Sequence, residues 1–504
     1  MAASADIILH NAVVHGPVRT ADAVVVSGGV IAAVGNSAEL MRRAGDDTQV
    51  IDCGGRVVVP GIVDPHCHLF AAAAARNGVD CRPAAAPDVA AVIAALRTAA
   101  AQGTGWLRGY GYDDSPTGLG RHLNRHDLDA VATQVPVRVE HRSGHACVLN
   151  SVGLAQVGIG RDTPDPPGGV IVRDAAGDPT GLLLEMGGWL RERAGVRSGT
   201  DKTALRRLAQ RLLGYGITAA TDAGPDNGLE RWQSFIAVVG DGTLPLRLTM
   251  MVGFGHMDAI RQAGLSYGSA ACDGMLTVGH AKIMLTASGG TLQPHPAELA
   301  EMVAEAHGLG FPVAVHAVER DAVVAAALAL ADAPSLELPD GRIAPDRIEH
   351  CAECPPDVLE LVASSGAAVT VNAGFLHYDG ERYRRTVAAD LLPHLYPAGA
   401  LAARGVPVAL ASDAPVVEPN PWAAMAAAVT RRSAEGESLG GVSVPSVADA
   451  LGMHTNGERI AAGGPADLAV VEPDPLGAVV EELASVRAVV TVVGGRVVWQ
   501  RIRG

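Results

Sequence analysis

The sequence predicts an α/β protein whose main domain is a (β/α)8, TIM-like barrel, and three observations support this fold class. Apolar runs rich in β-branched residues alternate with alanine-rich stretches through the middle of the chain. This alternation is typical of repeated βα units around a parallel sheet. Eight such runs can be counted. Polar residues recur at their carboxyl ends, where a barrel brings side chains from different strands together.

The eight predicted barrel strands are short, and helical stretches separate them. One of these stretches, "AELAEMVAEAHGLG", has apolar residues at helical spacing and ends at a glycine. We expect the barrel to occupy residues 58–455. Its predicted strands cover residues 57–64, 217–222, 246–253, 278–285, 312–317, 346–351, 367–372 and 407–413.

The two ends of the chain share the same β character. "VVSGGVIAAVG" near the start is echoed by "TVVGGRVVWQ" near the end, and glycine turns interrupt both. Matching ends around a long middle predict one small composite β-sandwich domain, formed by residues 1–57 and 456–504.

Residues 70–215 leave the βα repeat for longer than a loop would. They carry an alanine-rich helix, the strand-like "VPVRVEHRSGHACVLNS" and the hairpin-like "GGVIVRDAAGDPTGLLLE". We interpret this segment as a large insertion after the first barrel strand. Barrel active sites form on that side, so the insertion would shape the active site.

Composition and charge exclude several classes of partner. The 504 residues include 39 basic and 54 acidic side chains, for a formal charge of −15 that is spread along the chain. This argues against nucleic acid or an anionic membrane as a partner. The first residues lack the pattern of a signal peptide, and the seven cysteines form no regular framework. We expect a soluble cytoplasmic protein with a small-molecule substrate, and a homodimer.

The stretch "VVVPGIVDPHCHLF" ends a β-branched run with two histidines separated by one residue. Side chains at i and i+2 of an extended chain share a face, so the two imidazoles would project together. Any one polar residue at a strand end has a plain explanation as a core histidine or a helix cap. Six of them at the ends of five predicted strands indicate a metal site: His66, His68, Lys282, His316, His350 and Asp413.

These residue types suit one chemistry. Neutral imidazoles and carboxylates hold Zn²⁺ or a similar divalent ion and leave a position for water. The ion lowers the pKa of that water, so that hydroxide forms near neutral pH. Asp413 could accept a proton beside it and pass the proton to a leaving group.

The ordered motifs also resemble a known family. "PGIVDPHCHL", "RSGHACVLNS", "GITAATDAG", "RIEHC", "ASDAPVVEPNPWAAMAAAVTR" and "ERIAAGGPADLAVVEPDP" are similar to segments of the amidohydrolase superfamily. Within it, the chain resembles the YtcJ-like branch, which is related to N-substituted formamide deformylases. The resemblance covers essentially the whole chain.

The resemblance implies two divalent metals bridged by a lysine that is carboxylated on its side-chain nitrogen, and Lys282 matches that position. It implies that His66, His68 and Asp413 hold the first ion and that His316 and His350 hold the second. Two zinc ions are expected, with manganese or iron as alternatives. A mononuclear site stays open, as does an unmodified Lys282 that pairs with a carboxylate.

Substrate contacts are predicted for four further residues: Arg142, His145, Glu185 and His377. Each has an alternative as a packing, surface or strand-end residue. Many relatives have Asp-Gly after the fourth-strand lysine and Gly-Asp after the fifth-strand histidine, whereas this chain reads "KIMLTASGGTLQP" and "HAVERDAV". A deformylase-like substrate is therefore not assumed.

The sequence thus predicts a metal-dependent amidohydrolase. It would hydrolyse a C–N bond of the amide type in a small molecule through a hydroxide that bridges the metals. A deaminase or a non-hydrolytic isomerase could use the same metal site. A third hypothesis is a metal-stabilised binding protein without turnover, since a fold does not dictate a function.

Overall fold

A computed structural model describes residues 5–16, 20–75, 78–100, 105–166, 168–193, 201–287, 290–338, 341–441 and 443–501. The chain divides into two compact units. The first, called the barrel unit below, comprises Met1–Leu69, Leu205–Leu285 and Pro294–Gly504. The second, called the insertion unit, comprises Phe70–Ala204 and Thr286–Gln293.

The barrel unit is built on eight parallel strands that form a nearly closed sheet, so the prediction of an α/β barrel is confirmed at this level. The first and last strands meet through hydrogen bonds from Asp413 N to His66 O (2.8 Å) and from His68 N to Ala414 O (2.8 Å). In chain order, the strands are Ile62–Cys67, Ile217–Asp222, Arg247–Gly253, Leu276–Met284, Val313–Ala317, Arg347–His350, Ala368–Val371 and Val408–Leu410.

Helices follow the strands, as repeated βα units require. Buried apolar residues recur along one side of several of them, for example Leu299, Val303 and Ala306. The larger helices of the repeat are Lys202–Gly214, Leu229–Gly240, Met257–Gln262, Pro296–Gly308, Arg320–Asp332, Pro356–Ser364, Gly374–Thr386, Ala398–Ala402, Pro421–Thr430 and Val447–His454.

The predicted first strand, residues 57–64, is two strands in the structure. Val57–Pro60 pairs with strands from the two chain ends, and the barrel strand begins at Ile62 and continues to Cys67. The break falls at Gly61, where a Cβ would lie 2.1 Å from Thr218 Oγ1. Only glycine fits at this close approach of the two segments, and the chain passes there from one sheet into the barrel sheet. As a result, His66 lies inside the barrel strand and not beyond its end.

Residues from both chain ends form two further sheets in the barrel unit. Ile7–His10, Ala23–Ser27, Val30–Gly35 and Gln49–Asp52 make a four-stranded sheet. Apolar residues of the early and the late segments share one buried cluster that includes Leu9, Val24, Val58, Leu468 and Val492. The five-stranded sheet contains Val13–Val14, Val57–Pro60, Leu468–Glu472, Arg487–Val493 and Arg496–Gln500.

The insertion unit has its own six-stranded sheet. Its last two strands form the hairpin that the sequence indicates, and they pair antiparallel. Its helices include Val89–Ala100, Arg125–Asp129, Ser151–Gln156 and Gly187–Arg193. In chain order, its strands are Val79–Asp80, Leu107–Tyr112, Val137–His141, Ala146–Leu149, Val170–Arg173 and Pro179–Leu184.

The unit boundaries differ from the predicted insertion, residues 70–215. Residues 205–215 belong to the barrel unit, where Leu205, Leu208 and Leu212 are buried and Thr491 Oγ1 donates a hydrogen bond to Leu213 O (2.7 Å). Residues 286–293 group with the insertion unit instead. Among the described residues, we find no helix with both the length and the apolar character needed to cross a bilayer.

Candidate metal centre

The first and eighth barrel strands hold the centre of the site in place. Asp64 lies two residues before His66 and accepts hydrogen bonds from Ser412 Oγ (2.5 Å) and Ser412 N (3.1 Å). Burial raises the pKa of Asp64 to about 6, although the hydrogen bonds from Ser412 act against the rise. Asp413 follows in the left-handed region, with φ 55°. A non-glycine residue is strained there, so the local structure imposes the direction of its side chain.

Three ligand-type atoms converge at this point. Asp413 Oδ1 lies 3.1 Å from His68 Nε2 and 3.5 Å from His66 Nε2. One donor atom from each of these residues lies within 4.8 Å of the others. Asp413 Oδ1 is buried, yet no described group makes a hydrogen bond of good geometry to it. Two ligands about 2.0–2.2 Å from one ion lie roughly 3 Å apart without bonding to each other, which is the arrangement seen here.

His316 and His350 lie next to this group. The His350 ring is 4.7 Å from that of His66 and 4.5 Å from that of His316, measured between centroids. His350 Nδ1 is 2.7 Å from Asn372 Oδ1, so this nitrogen carries the hydrogen. His350 Nε2 is buried and has no hydrogen-bond partner among the residues described. The ring therefore presents an unprotonated nitrogen to the same region as Asp413.

Lys282 lies inside the fourth barrel strand and is 2% exposed. Burial lowers the pKa of its ammonium to about 8, while the carboxylates of Glu349 and Asp413 act in the opposite direction. A lysine with this pKa is mostly protonated at pH 7, but roughly a tenth of it is neutral, far more than for an exposed lysine. The neutral amine is the form that can take up CO₂.

Glu349 is a site residue that the sequence reasoning missed. It is fully buried, and its Oε2 forms a hydrogen bond with His66 Nδ1. Arg347 Nε lies 2.8 Å from Glu349 Oε1, and Arg347 also reaches Pro65 O (3.0 Å). A carboxylate on the second nitrogen of a histidine fixes its tautomer and ring orientation. Arg347 and Glu349 lie at i and i+2 of the sixth strand and so share a face, but this spacing indicates only their mutual pairing and not the contact of Glu349 with His66.

The protonation states of the candidate ligands suit a cation. Burial lowers the pKa of His66 to about 3 and also lowers that of His350, so both imidazoles are neutral at pH 7. Burial acts to raise the pKa of Asp413, but the neighbouring histidines hold it below its usual range. Neutral imidazoles and a carboxylate are a donor set that fits a divalent metal ion, and two of their donor atoms, His350 Nε2 and Asp413 Oδ1, are buried with no hydrogen bond to a described residue.

The predicted substrate residues lie in both units. In the insertion unit, His145 Nδ1 is 3.1 Å from Glu185 Oε2, and Glu185 has a φ of 54°. Arg142 Nε is 3.8 Å from Asp113 Oδ2. In the barrel unit, His377 lies on helix Gly374–Thr386 with its ring 4.8 Å from that of Tyr378. Their roles stay predictions. Ser288 and Gly289, in the loop that departs from relatives, lie outside the described residues.

Comparison with known proteins identifies the class. The model of the amidohydrolase family matches residues 49–499. The chain belongs to the amidohydrolase family, and the resemblance stated from its motifs is confirmed. It is thus a hydrolase acting on carbon–nitrogen bonds, and the family match together with the donor set supports a divalent metal.

Two full-length relatives place the chain within the family. It is 28% identical to an N-substituted formamide deformylase from Arthrobacter pascens, over 97% of this chain and 98% of the relative. It is 26% identical to the putative amidohydrolase YtcJ from Bacillus subtilis, over 95% and 96% of the two chains.

Solved structures share the fold. An uncharacterized metal-dependent hydrolase from Pyrococcus horikoshii OT3 matches with a TM-score of 0.71 and 19% identity, over 94% of this chain and 98% of the other. One from Pyrococcus furiosus matches with a TM-score of 0.68 and 20% identity, over 93% and 99%.

Proposed function

We propose that this protein hydrolyses an amide-type C–N bond of a small molecule at the metal centre of the barrel unit. The observation that carries the proposal is the buried Asp413 Oδ1, which lies 3.1 and 3.5 Å from two histidine nitrogens and makes no hydrogen bond of good geometry with any residue that the structure describes. A carboxylate in this position can serve both as a metal ligand and as an acceptor of a proton.

The residues of the centre suggest how metal would be held. We propose that His66, His68 and Asp413 hold one ion, that His316 and His350 hold a second, and that a carboxylated Lys282 is shared. Zinc is the ion we propose, since imidazole and carboxylate ligands suit it. When bound, such ions supply an activated water and a positive charge that polarises the carbonyl oxygen.

The protein's own groups then handle the protons. Asp413 is ionised at neutral pH because the nearby histidines hold its pKa below its usual range against the effect of burial. It can therefore take the proton from the attacking water. The same carboxyl then donates that proton to the departing nitrogen, which leaves as a neutral amine and not as an unstable anion.

The relatives support an amide as the substrate class but do not specify its acyl group. The relative from Arthrobacter pascens is named for N-substituted formamides, and this chain is 28% identical to it. The segments after Lys282 and His316 depart from the pattern of the branch, and these follow the ends of two strands that carry metal-centre residues. We therefore propose a small amide and leave the acyl group open to a formyl, a longer acyl or a cyclic amide.

The test is a substrate panel assayed with the metal-loaded full chain, wild type and Asp413→Asn. The panel holds N-substituted formamides, N-acetyl amines and cyclic amides, and amine and acid products are both quantified. We expect wild-type turnover on one amide class and a loss of roughly 100- to 10,000-fold in kcat for Asp413→Asn, the range for removal of a general acid–base group.

The matched control is Asp321→Asn, an aspartate whose side chain is 83% exposed on helix Arg320–Asp332. It should keep wild-type kcat. Ammonia release without an acid product would replace our proposal by deamination, and a product of unchanged mass would replace it by isomerisation. Tight binding of amides without turnover would favour a binding protein. Homodimerisation and a cytoplasmic location stay predictions from the sequence.

A further inference from the structure

The insertion unit contains a second cluster of histidines and aspartates, and no part of the proposed mechanism uses it. It consists of Asp113, Asp114, His122 and His141. Donor atoms of Asp113, Asp114 and His141 lie within 4.8 Å of one another. Asp114 Oδ1 is 2.9 Å from His141 Nε2, and its Oδ2 is 3.2 Å from His122 Nε2. A single carboxylate thus faces the Nε2 atoms of two imidazoles.

Backbone structure brings these residues together. Strand Leu107–Tyr112 runs parallel to Val137–His141, and Tyr112 pairs with His141 after a register shift. The aspartates follow the end of the first strand and His141 ends the second, so all three meet at the same edge of the sheet. The loop then returns to place His122, and at Gly118 a Cβ would lie 2.4 Å from Asp113 O. Only glycine allows that return.

Neighbouring groups fix the two rings. The fully buried Tyr112 packs against both, with centroids 5.0 Å from His141 and 6.1 Å from His122. Its hydroxyl is 3.1 Å from His122 Nδ1, and Ser143 Oγ is 2.8 Å from His141 Nδ1. Polar partners on the Nδ1 atoms orient the rings so that both Nε2 atoms face Asp114, as occurs for histidines that bind metals.

Charge and desolvation are consistent with a cation. Burial lowers the pKa of His141 to about 4, against the effect of Asp114, so its imidazole is neutral at pH 7. Asp113 is buried, with Oδ1 accepting from Ser115 N (2.9 Å) and Oδ2 lying 3.8 Å from Arg142 Nε. The two aspartates and Arg142 together carry a formal charge of −1, and a bound divalent ion would change it to +1.

We propose that Asp114, His122 and His141, with Asp113 beside them, form a separate metal site for a divalent ion such as Zn²⁺, held less tightly than metal in the barrel unit. Imidazole ligands favour zinc over Mg²⁺ or Ca²⁺. The side chains of His122 and Asp114 are 37% and 35% exposed, so water can compete with them and the ion can exchange. Ser143 N donates to His141 Nδ1 (3.2 Å), which leaves the ring hydrogen on Nε2. A bound ion would take Nε2, and the ring hydrogen would then lie on Nδ1, 2.8 Å from Ser143 Oγ.

Equilibrium dialysis of the full chain against Zn²⁺, with zinc counted per chain by elemental analysis, tests the proposal. We expect wild type to take up about one zinc more than His122→Asn, and the same loss in Asp114→Asn, which keeps the shape of the side chain. The control is His126→Asn, a neighbouring histidine whose side chain is 75% exposed; it should bind as wild type does.

A variant of the barrel unit separates this proposal from the proposed function. His66→Asn/His68→Asn should keep the exchangeable zinc whether or not the barrel centre binds metal. If His122→Asn and Asp114→Asn, both folded by circular dichroism, bind as much zinc as wild type, the cluster is only a hydrogen-bonded network and the proposal is wrong. Equal uptake of Mg²⁺ would also contradict it.

Discussion

The barrel unit and the insertion unit each gather histidines and aspartates at the carboxyl ends of parallel strands, but the two clusters satisfy their polar atoms differently. In the barrel unit, His350 Nε2 and Asp413 Oδ1 are buried and make no hydrogen bond with the described part of the chain, and both residues have a positive φ. In the insertion unit, Asp114 bonds to His141 and pairs with His122, and it is partly exposed.

This difference suggests how a site that holds metal tightly can be distinguished from one that exchanges it. Buried polar atoms without partners cost free energy, roughly 1–3 kcal/mol each. Two of them on neighbouring metal-ligand side chains therefore suggest a bound ion that would satisfy both. Strained backbone adds to that cost and recurs at functional sites. The cluster of the insertion unit carries less of this cost, because Asp114 Oδ1 is hydrogen-bonded to His141 Nε2. It should bind metal more weakly and lose it first.

The largest expected effect comes from removing the paired histidines of the barrel unit. His66→Asn/His68→Asn should lose the metal of that centre and at least about 1,000-fold in kcat/KM, since the ion's activation of water is lost. Metal content and amide hydrolysis are measured on the same preparation. The corresponding double variant of the insertion unit, His122→Asn/His141→Asn, should keep kcat/KM within about twofold. Equal losses of kcat/KM in the two double variants would show that both clusters serve amide hydrolysis, contrary to this prediction.

A smaller effect is expected from Glu349→Gln. The substitution removes the charge that fixes His66 and leaves Arg347 without its carboxylate, so metal affinity should fall roughly 10- to 100-fold. Competition with a chromophoric chelator measures the affinity. Glu360→Gln, at an exposed ion pair with Arg404, is the control. Unchanged affinity in a folded Glu349→Gln protein would show that the carboxylate does not position His66.

These residues show which parts of the fold and of the candidate site could be predicted from the sequence. The eight barrel strands were predictable from β-branched runs, although the first was placed at 57–64 and the structure has Ile62–Cys67. The histidines could be named as candidates because they lie near the predicted strand ends. Glu349 was not, because neighbours on a regular strand point to opposite faces, yet Glu349 and His350 both reach His66. His350 has a φ of 73°, which breaks the alternation. No pattern of residue types announces a left-handed residue at a strand end.

Two other features depended on tertiary structure in the same way. In the sequence, the segment around Gly61 looks like one continuous β run. The close approach that requires glycine there involves Thr218, a residue far along the chain. The cluster of the insertion unit was missed because His122 lies in a loop whose return depends on close packing at Gly118.

The smallest expected effect concerns acid, to which the deeply buried histidines of the barrel unit should be sensitive. Burial lowers the pKa of His454 to about 4, whereas an unfolded histidine titrates near 6.5. The unfolded state therefore binds the proton first, and the contribution of His454 to stability is present above pH 6.5 and lost as the pH falls to about 4.

This loss amounts to about 1.4 kcal/mol per pH unit in that window. His454→Gln should make the free energy of unfolding, measured in urea, depend less steeply on pH between 4 and 6.5. The exposed His126→Gln should leave the slope unchanged. The same slope in both variants would mean that His454 is not buried in its neutral form.

Metal content per chain, measured together with the intact mass, tests most directly whether the barrel unit holds two metal ions and a carboxylated Lys282. The protein is purified without chelator or affinity metal in the His122→Asn background, so that only the barrel centre is counted. We predict near two zinc ions per chain and a mass excess of one CO₂, carried by Lys282. About one ion and no excess, under conditions that preserve a carbamate, would reduce the centre to a mononuclear site. No metal, even after reconstitution with Zn²⁺ or Mn²⁺, would contradict the account.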